Sequence, residues 1–345
     1  MEHIAIDLGG RESQVCVRSP DGEIVLERRV ATLSLKRLLA TRKPSRVIVE
    51  TCTEAFPIAE IARTAGHDVR VVPATLVRTL GVGARGIKTD RRDARALSEV
   101  SCRVDLPSVH LPSARARELK DIANAREVLV GARTALINSV RGYLRRRLLG
   151  MRVGGTATFP DRVRTLVLST AEGIPGSLES LLTVIESATE QIKLQTKELE
   201  RLAETDDVCR RLMTVPGVGP LTAIRFVAVV DEPGRFASAH QIESYLGLTP
   251  GERSSSDRTH RTGITKAGSR RLRSTLIQAA WSARRTHGIH PMLMWTKEVE
   301  HRRGAFVATV ALARKLAGIL FAIWRDGTTY TPQRGAAAEV RPTRT

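Results

Sequence analysis

Four carboxylates stand where a divalent cation can use them. Asp7 closes a short apolar run, HIAID, just before a glycine pair, and Glu50 closes a second run, RVIVE. Asp90 and Asp93 follow in KTDRRDA, three residues apart at the start of a helical pattern, a spacing that turns both toward one helix face. Hard oxygen donors of this kind suit Mg²⁺ or Mn²⁺, and a pair of such ions can stabilise the attacking and leaving oxygens of a phosphoryl transfer. Each acid also has an ordinary reading. Asp7 can open a turn with Gly9 and Gly10, Glu50 can be a solvated strand end, and Asp90 with Asp93 can cap a helix and complement its dipole. Convergence of all four is what favours the metal reading, and convergence depends on strand order. Glu12 and Glu54 lie near in sequence but end no strand, so both rank below Glu50.

A second chemistry is offered by the run Ser254, Ser255, Ser256. Around it stand Arg253, Arg258, Arg261, Lys266, Arg270, Arg271 and Arg273, with Asp257 the single acid in the stretch. A hydroxyl is a weak nucleophile alone, but surrounding cations can hold a phosphodiester in line and stabilise the charge that develops on it. From composition alone the same stretch reads as a serine-rich surface loop in a basic nucleic-acid-binding patch. VPGVGPLTA, with Gly217 and Gly219, resembles a helix-hairpin-helix turn, where glycine lets backbone N–H groups at a helix start meet a phosphate. An ordinary helix-breaking loop has the same residues.

These side chains need elements to carry them. From Ile4 to Val30 the pattern predicts a three-stranded meander: IAID, QVCVR, the turn SPDG, then the alternating EIVLERRV. A helix around 33–41, the buried strand RVIVE, a helix over about 54–64, the strand VRVVP and a further helix follow. That order is ribonuclease H-like, and an actin-like ATPase begins in the same way. The chain then turns helical. Ile122, Leu129, Leu136 and Tyr143 recur every seven residues. In a second segment Leu178, Ile185, Ile192 and Leu199 take one heptad position, and Leu181, Ala188, Gln195 and Leu202 another. Those two helices are expected to pair or to build a subunit contact. GMRVGGTATFP between them is a glycine-rich loop, and the last residues read as a flexible tail.

The 345 residues are enough for at least two domains. Lys and Arg number 55 against 36 Asp and Glu, so a formal net charge of +19 draws polyanions, nucleic acid first among them. Aromatics at 3% weaken any reading built on base stacking. Cys16, Cys52, Cys102 and Cys209 are scattered, against structural zinc or a disulfide framework and in keeping with a reducing cytoplasm. No signal peptide is expected, because no apolar core follows a basic start. The most apolar stretch, 305–324, carries Arg314 and Lys315 at its centre and reads as a buried helix, so no membrane partner is expected.

Together the strand-end Asp7, VIVETCTEA, KTDRRDA, VPGVGPLTA, YLGLTP and SSSDRTHRTGITKAGSRRLR resemble the DEDD transposases of the insertion-sequence 110 family, in the family's motif order over roughly residues 3–325. The resemblance implies an α/β RuvC- and ribonuclease H-like domain with a mixed sheet at 1–108, a helical coiled-coil linker at 109–208, a mostly α transposase domain at 209–326 and a tail at 327–345. It makes Asp7, Glu50, Asp90 and Asp93 a metal-binding tetrad and Ser255, five residues after Pro250, the nucleophile. Ser256 stands where the family has glycine, so Ser254 and Ser256 stay in view, and Gly9 and Gly10 stand where it has a small residue and a lysine. The implied partners are donor and target DNA, a bridge RNA from the element that guides both, and further copies of the chain, as a dimer to tetramer in a bacterial cytoplasm. Arg145, Arg146 and Arg147 join the serine's basic frame as expected contacts to nucleic-acid backbone. Three rivals are a RuvC-like junction nuclease that activates water, a non-catalytic nucleic-acid-binding protein, and an actin-like sugar or acetate kinase suggested by IDLGG. The kinase would need a second Asp-Gly phosphate motif that the chain lacks.

Overall fold

The computed structural model describes residues 1–79, 89–170, 173–255, 258–286 and 290–332, with backbone alone at 78–79, 253–255 and 258–261. The chain divides into two compact units, Met1–Pro112 and Ser113–Thr345.

The first unit is built on five strands: β1 (His3–Asp7), β2 (Glu12–Arg18), β3 (Ile24–Ala31), β4 (Arg46–Glu50) and β5 (Asp68–Val72), in the sheet order β3-β2-β1-β4-β5. β1, β2 and β3 form the antiparallel meander, whose second turn closes through Gly22 N donating to Ser19 O at 3.0 Å with Gly22 at φ +91°. β4 and β5 then add in parallel after helical crossovers. The helices are α1 (Leu35–Ala40), α2 (Ala55–Thr64), α3 (Ala74–Thr79) and α4 (Asp90–Arg103). Both faces of the sheet are covered, which is why the central strands read as unbroken apolar runs. Ile4, Ile6, Val15, Val17, Val47, Val49 and Val71 pack under α1 and α2, whereas Ala5, Ile48 and Val72 pack with Val77 of α3, Leu97 of α4 and Leu106.

The second unit is helical apart from one ribbon. α5 (Ala114–Arg145) and α7 (Gly176–Thr205) pack side by side, with α6 (Phe159–Leu168) between them in sequence. They run antiparallel. Ile137, Val140 and Leu144 meet Leu178, Leu182 and Ile185 at one end, and Leu119 and Ala123 share a core with Leu199 and Ala203 at the other. Between the two cores Ile192 is buried and polar contacts join the helices, Arg126 Nε donating to Thr196 Oγ1 at 2.8 Å and Arg133 Nη1 to Thr189 Oγ1 at 3.5 Å. The heptad positions Leu178, Ile185, Ile192 and Leu199 are buried as expected, but on α5 the expected Ile122, Leu129, Leu136 and Tyr143 are only half-buried. The buried stripe there is shifted by about one residue: Ala123 packs in the core shared with α7 and α9, and Ile137 and Leu144 in the core shared with α6 and α7.

α8 (Asp207–Leu212), α9 (Pro220–Val230), α10 (Ala239–Tyr245), the ribbon β6 (Pro250–Ser255) with β7 (Arg258–Ile264), then α11 (Arg270–Ala283), α12 (Pro291–Arg303) and α13 (Ala305–Asp326) complete the unit. α13 is long and apolar enough to cross a membrane by length and composition. Here it is the core helix: Leu312, Ala313, Leu316, Ala317, Leu320 and Phe321 are fully buried, Arg314 Nε pairs with Glu243 at 2.5 Å, and Lys315 Nζ lies 4.4 Å from the centre of the Trp295 ring. After α13, Tyr330 N donates to Thr214 Oγ1 at 2.9 Å, so the chain is held to the core at that point. The rest of the predicted tail, from 333 on, lies outside the described residues.

Candidate catalytic edge and nucleic-acid interface

β1 and β4 are parallel neighbours in the register Ile4↔Val47, Ala5↔Ile48, Ile6↔Val49. The next residue on each strand is Asp7 and Glu50, so the two stand abreast at adjoining strand ends, about 4.8 Å apart in backbone spacing. By alternation they share a face with Ala5 and Ile48, the face that α4 covers. α4 runs antiparallel to β1. His3 Nδ1 hydrogen-bonds Ser101 Oγ at 2.8 Å, and Arg18 Nε donates to Ser98 Oγ at 3.0 Å. Four residues of strand from His3 to Asp7 cover about 13 Å, and eight residues of helix from Ser101 back to Asp93 cover about 12 Å. The first turn of α4 therefore lies over the end of β1. Asp93 is 7% exposed and Asp90 is exposed.

The cap of α4 is Thr89, whose Oγ1 accepts from Arg92 N at 3.3 Å, so neither Asp90 nor Asp93 fills that role. The turn after Asp7 carries its own bonds. Gly9 N donates to Ser13 Oγ at 3.3 Å, Thr32 Oγ1 donates to Gly9 O at 2.6 Å, and a Cβ on Gly9 would stand 2.4 Å from Glu12 O. Glu12 itself pairs with Arg29 at 3.2 Å. Glu54 precedes α2 and makes no side-chain cap bond. Its carboxylate reaches toward Gly10 on the same edge, with Oε1 3.8 Å from where a Cβ there would sit. Asp7 and Glu50 end adjoining strands on the face that α4 covers, Asp90 and Asp93 open that helix, and all four offer only carboxylate oxygens, a donor type that fits a hard divalent cation. They are not drawn into a closed shell: among the described residues no three His, Cys, Asp or Glu side chains group tightly enough to hold an ion.

Sequence reasoning passed over Glu27. It lies in β3, opposite Cys16 of β2, and its side chain is 10% exposed. Arg95 and Arg91 both donate to it, Arg95 Nη2 at 2.6 Å and Arg91 Nε at 2.7 Å, and they hold its carboxyl down at about 2 from the usual 4.5. The signal in the sequence is a pair of arginines four apart on one helix face, with Glu99 one turn beyond Arg95 and no acid three or four residues from Arg91.

Ser255 ends β6, paired with Arg258 across the ribbon, and Ser254 pairs with Thr259. Ser256 lies outside the described residues, as do the side chains of Arg253, Ser254, Ser255, Arg258 and Arg261. What is fixed is the base of the ribbon. Thr265 N donates to Thr249 O at 2.9 Å, and Gly268, at φ +68°, sits so close to α10 that a Cβ would meet Tyr245 O at 2.0 Å. Arg273 is buried and donates to Leu246 O at 3.1 Å and Ala267 O at 2.7 Å. It therefore braces backbone, which corrects its reading as one of the cations facing a phosphodiester.

Lys266 and Arg270 are exposed, and Arg271 bonds Asn124 and pairs with Glu127 at 3.5 Å. Arg145, Arg146 and Arg147 are exposed at the end of α5, Arg147 stacked 3.7 Å over the Tyr143 ring. The glycines of VPGVGP differ. Gly217 at φ +82° packs on α11, where a Cβ would meet Ala279 O at 2.3 Å, whereas Gly219 stands open at the start of α9.

A mixed sheet in this order with acids ending β1 and β4 and opening α4 is the RuvC-like DEDD class of nucleic-acid-processing fold. Residues 4–147 match the DEDD transposase family of IS110 elements, and residues 209–292 match the family described as Transposase IS116/IS110/IS902 family. The chain is 28% identical over 333 residues to the Transposase for insertion sequence element IS1111A of Coxiella burnetii, covering 95% of this chain and 90% of the relative. It is 29% identical to a Probable family 20 transposase of Pseudomonas aeruginosa, over 96% and 99% of the two chains. With the Transposase for insertion sequence element IS1328 of Yersinia enterocolitica it shares 27% identity over 95% and 98%. The chain belongs to the IS110 family of insertion-sequence transposases, DNA-cleaving and recombining enzymes that use divalent metal.

Proposed function

We propose that this transposase cuts and rejoins DNA through a covalent phosphoserine intermediate, with Asp7, Glu50, Asp90 and Asp93 holding Mg²⁺ or Mn²⁺. The observation that supports the metal site is the register of β1 on β4, which sets Asp7 and Glu50 abreast on the face that α4 covers. A divalent cation bound there neutralises charge on the scissile phosphate and orients it. Ser255 Oγ attacks phosphorus, a new P–O bond forms as the bond to the departing deoxyribose oxygen breaks, the serine proton is lost and the leaving oxygen takes one up. The phosphodiester energy is kept in the enzyme–DNA ester, so a strand can be passed to a new partner without ATP. The acids belong to the first unit and the serine to the second, so the site is composite, completed between copies in a dimer or tetramer. The exposed arginines and lysines hold nucleic-acid backbone, and a bridge RNA supplies sequence choice by pairing with donor and target DNA.

The test is to incubate the full-length protein with RNA from the element's flank, donor and target DNA and Mg²⁺, then search for a protein–DNA adduct that survives denaturant. The adduct is expected from the wild type and absent from Ser255→Ala. Strand exchange at an undiminished rate in Ser255→Ala would overturn the covalent route in favour of water as nucleophile, and exchange without RNA would overturn the guide.

A further inference from the structure

Resting on the reading of the arginines that end α5 as contacts to nucleic-acid backbone, we propose that Leu148 is an apolar wedge that enters a base step of duplex DNA. α5 closes with two backbone bonds, Leu148 N donating to Arg145 O at 3.1 Å and Leu149 N to Leu144 O at 3.0 Å, the pattern that turns a chain out of a helix through one left-handed residue. Glycine is the usual occupant of that position, because a Cβ crowds the backbone there. Here it is Leu148, at φ +59°, the one apolar side chain among the three non-glycine residues described with positive φ. The fold gains little burial from it. Leu148 is 95% exposed, while Leu149 and Met151 pack onto the core shared by α5, α6 and α7.

A second aliphatic side chain is displayed on the same loop. Val153 is 99% exposed, and the backbone around it is held by Arg162, which donates to Arg152 O at 2.9 Å and Gly155 O at 3.2 Å. Both stand among cations. Arg145, Arg146, Arg147 and Arg152 are exposed, and no acid occurs between Glu127 and Asp161. Asp161 itself sits against Arg164 at 3.5 Å. Exposed guanidiniums around aliphatic points complement a polyanion with an apolar interior, and stacked bases inside a phosphate backbone have that make-up.

The surface suits a duplex better than a single strand. Unpaired bases are held by stacking on open aromatic faces. Residues 144–158 contain no aromatic ring, Arg147 lies 3.7 Å over the Tyr143 ring, and Phe159 is buried. An aliphatic side chain flanked by arginines is instead a means of parting a base step from the minor groove and kinking the helix. Pyrimidine–purine steps of DNA unstack most readily, so such a step is the expected point of entry.

The probe is a mixed-sequence DNA duplex with a central TA step, 2-aminopurine at that step and a fluorophore at each end, bound by the full-length protein. Wild type is expected to brighten the 2-aminopurine and to bring the ends together. Leu148→Gly keeps the loop backbone and removes the crowded Cβ, so it is expected to melt no lower than wild type. It is expected to lose both signals and to bind the duplex about 10-fold more weakly, the order set by burying one leucine side chain, with an unchanged salt dependence. Leu148→Met keeps an apolar tip and is expected to keep both signals. Neither signal in wild type, or both intact in Leu148→Gly, overturns the proposal. So does a clearly lower melting temperature, which gives the side chain a role in the fold. An equal loss on an RNA duplex of the same sequence, or a change in oligomeric mass, overturns it in favour of RNA or of a contact between copies. Arg145→Gln/Arg146→Gln separates the two layers: it is expected to reduce the slope of log affinity against log salt by about 2. If it changes neither affinity nor slope, the nucleic-acid reading of the end of α5 falls; if the slope drops while Leu148→Gly behaves as wild type, only the wedge falls.

Discussion

The acid edge and the serine ribbon are secured in opposite ways. Asp7 and Glu50 end inner strands of a sheet buried on both faces, and Asp90 and Asp93 open α4, which is pinned at His3, Cys16, Arg18 and Glu27. The serine ends one strand of an isolated two-stranded ribbon, an element that is marginal alone and takes its position from its base. There Gly268, Gly247 and Arg273 lock the loops around 245–249 and 265–268. A ligand set must hold several oxygens to within fractions of an ångström, and a doubly buried sheet gives that rigidity. In the mechanism proposed above, the serine must be presented to a long polymer and then carry a strand, a task suited to the end of a two-stranded ribbon.

Substitutions break this comparison in order of size. Asp7→Asn is expected to lower strand cleavage by about 10³-fold or more, the loss of several kcal/mol of charge stabilisation, measured as single-turnover cleavage at saturating Mg²⁺. Ser255→Ala is expected to erase the adduct while leaving Mn²⁺ affinity unchanged; reduced affinity would mean the two sites are not separately built. Arg273→Ala leaves two buried carbonyls unanswered and is expected to cost about 3 kcal/mol in urea unfolding of the second unit, with no effect on the first.

The smallest effect is on pH. Folding favours the ionised form of Glu27, so its contribution is complete above the ordinary value of 4.5 and drains away as pH falls toward about 2. Glu27→Gln is expected to flatten stability over that window, followed by thermal melts in steps of pH.

Much of the first unit was legible because its pattern is local. SPDG is a turn by its own chemistry, RVIVE is an apolar run that ends at its acid, and each became the element expected, the strand to the residue. The heptads of α7 were legible for the same reason, while the buried stripe of α5 was shifted by packing against α7 and α9, which no repeat along one helix encodes. Among the basic residues, Arg273 and Arg271 look alike in the sequence. Only folding buries the first against carbonyls and leaves the second at the surface, because burial depends on what packs from elsewhere.

The amino-acid sequence by itself determined the strands, their acids, the net positive charge and the family, since residue type, alternation and motif order survive without any long-range contact. Tertiary structure alone decided which face Asp7 and Glu50 share, that α4 runs back over them, and that Glu27 answers Arg91 and Arg95 from 64 and 68 residues away. Carboxylates repel one another and arginines pair with whatever acid is nearest, so the arrangement of both is set by the packing that overrides those local preferences.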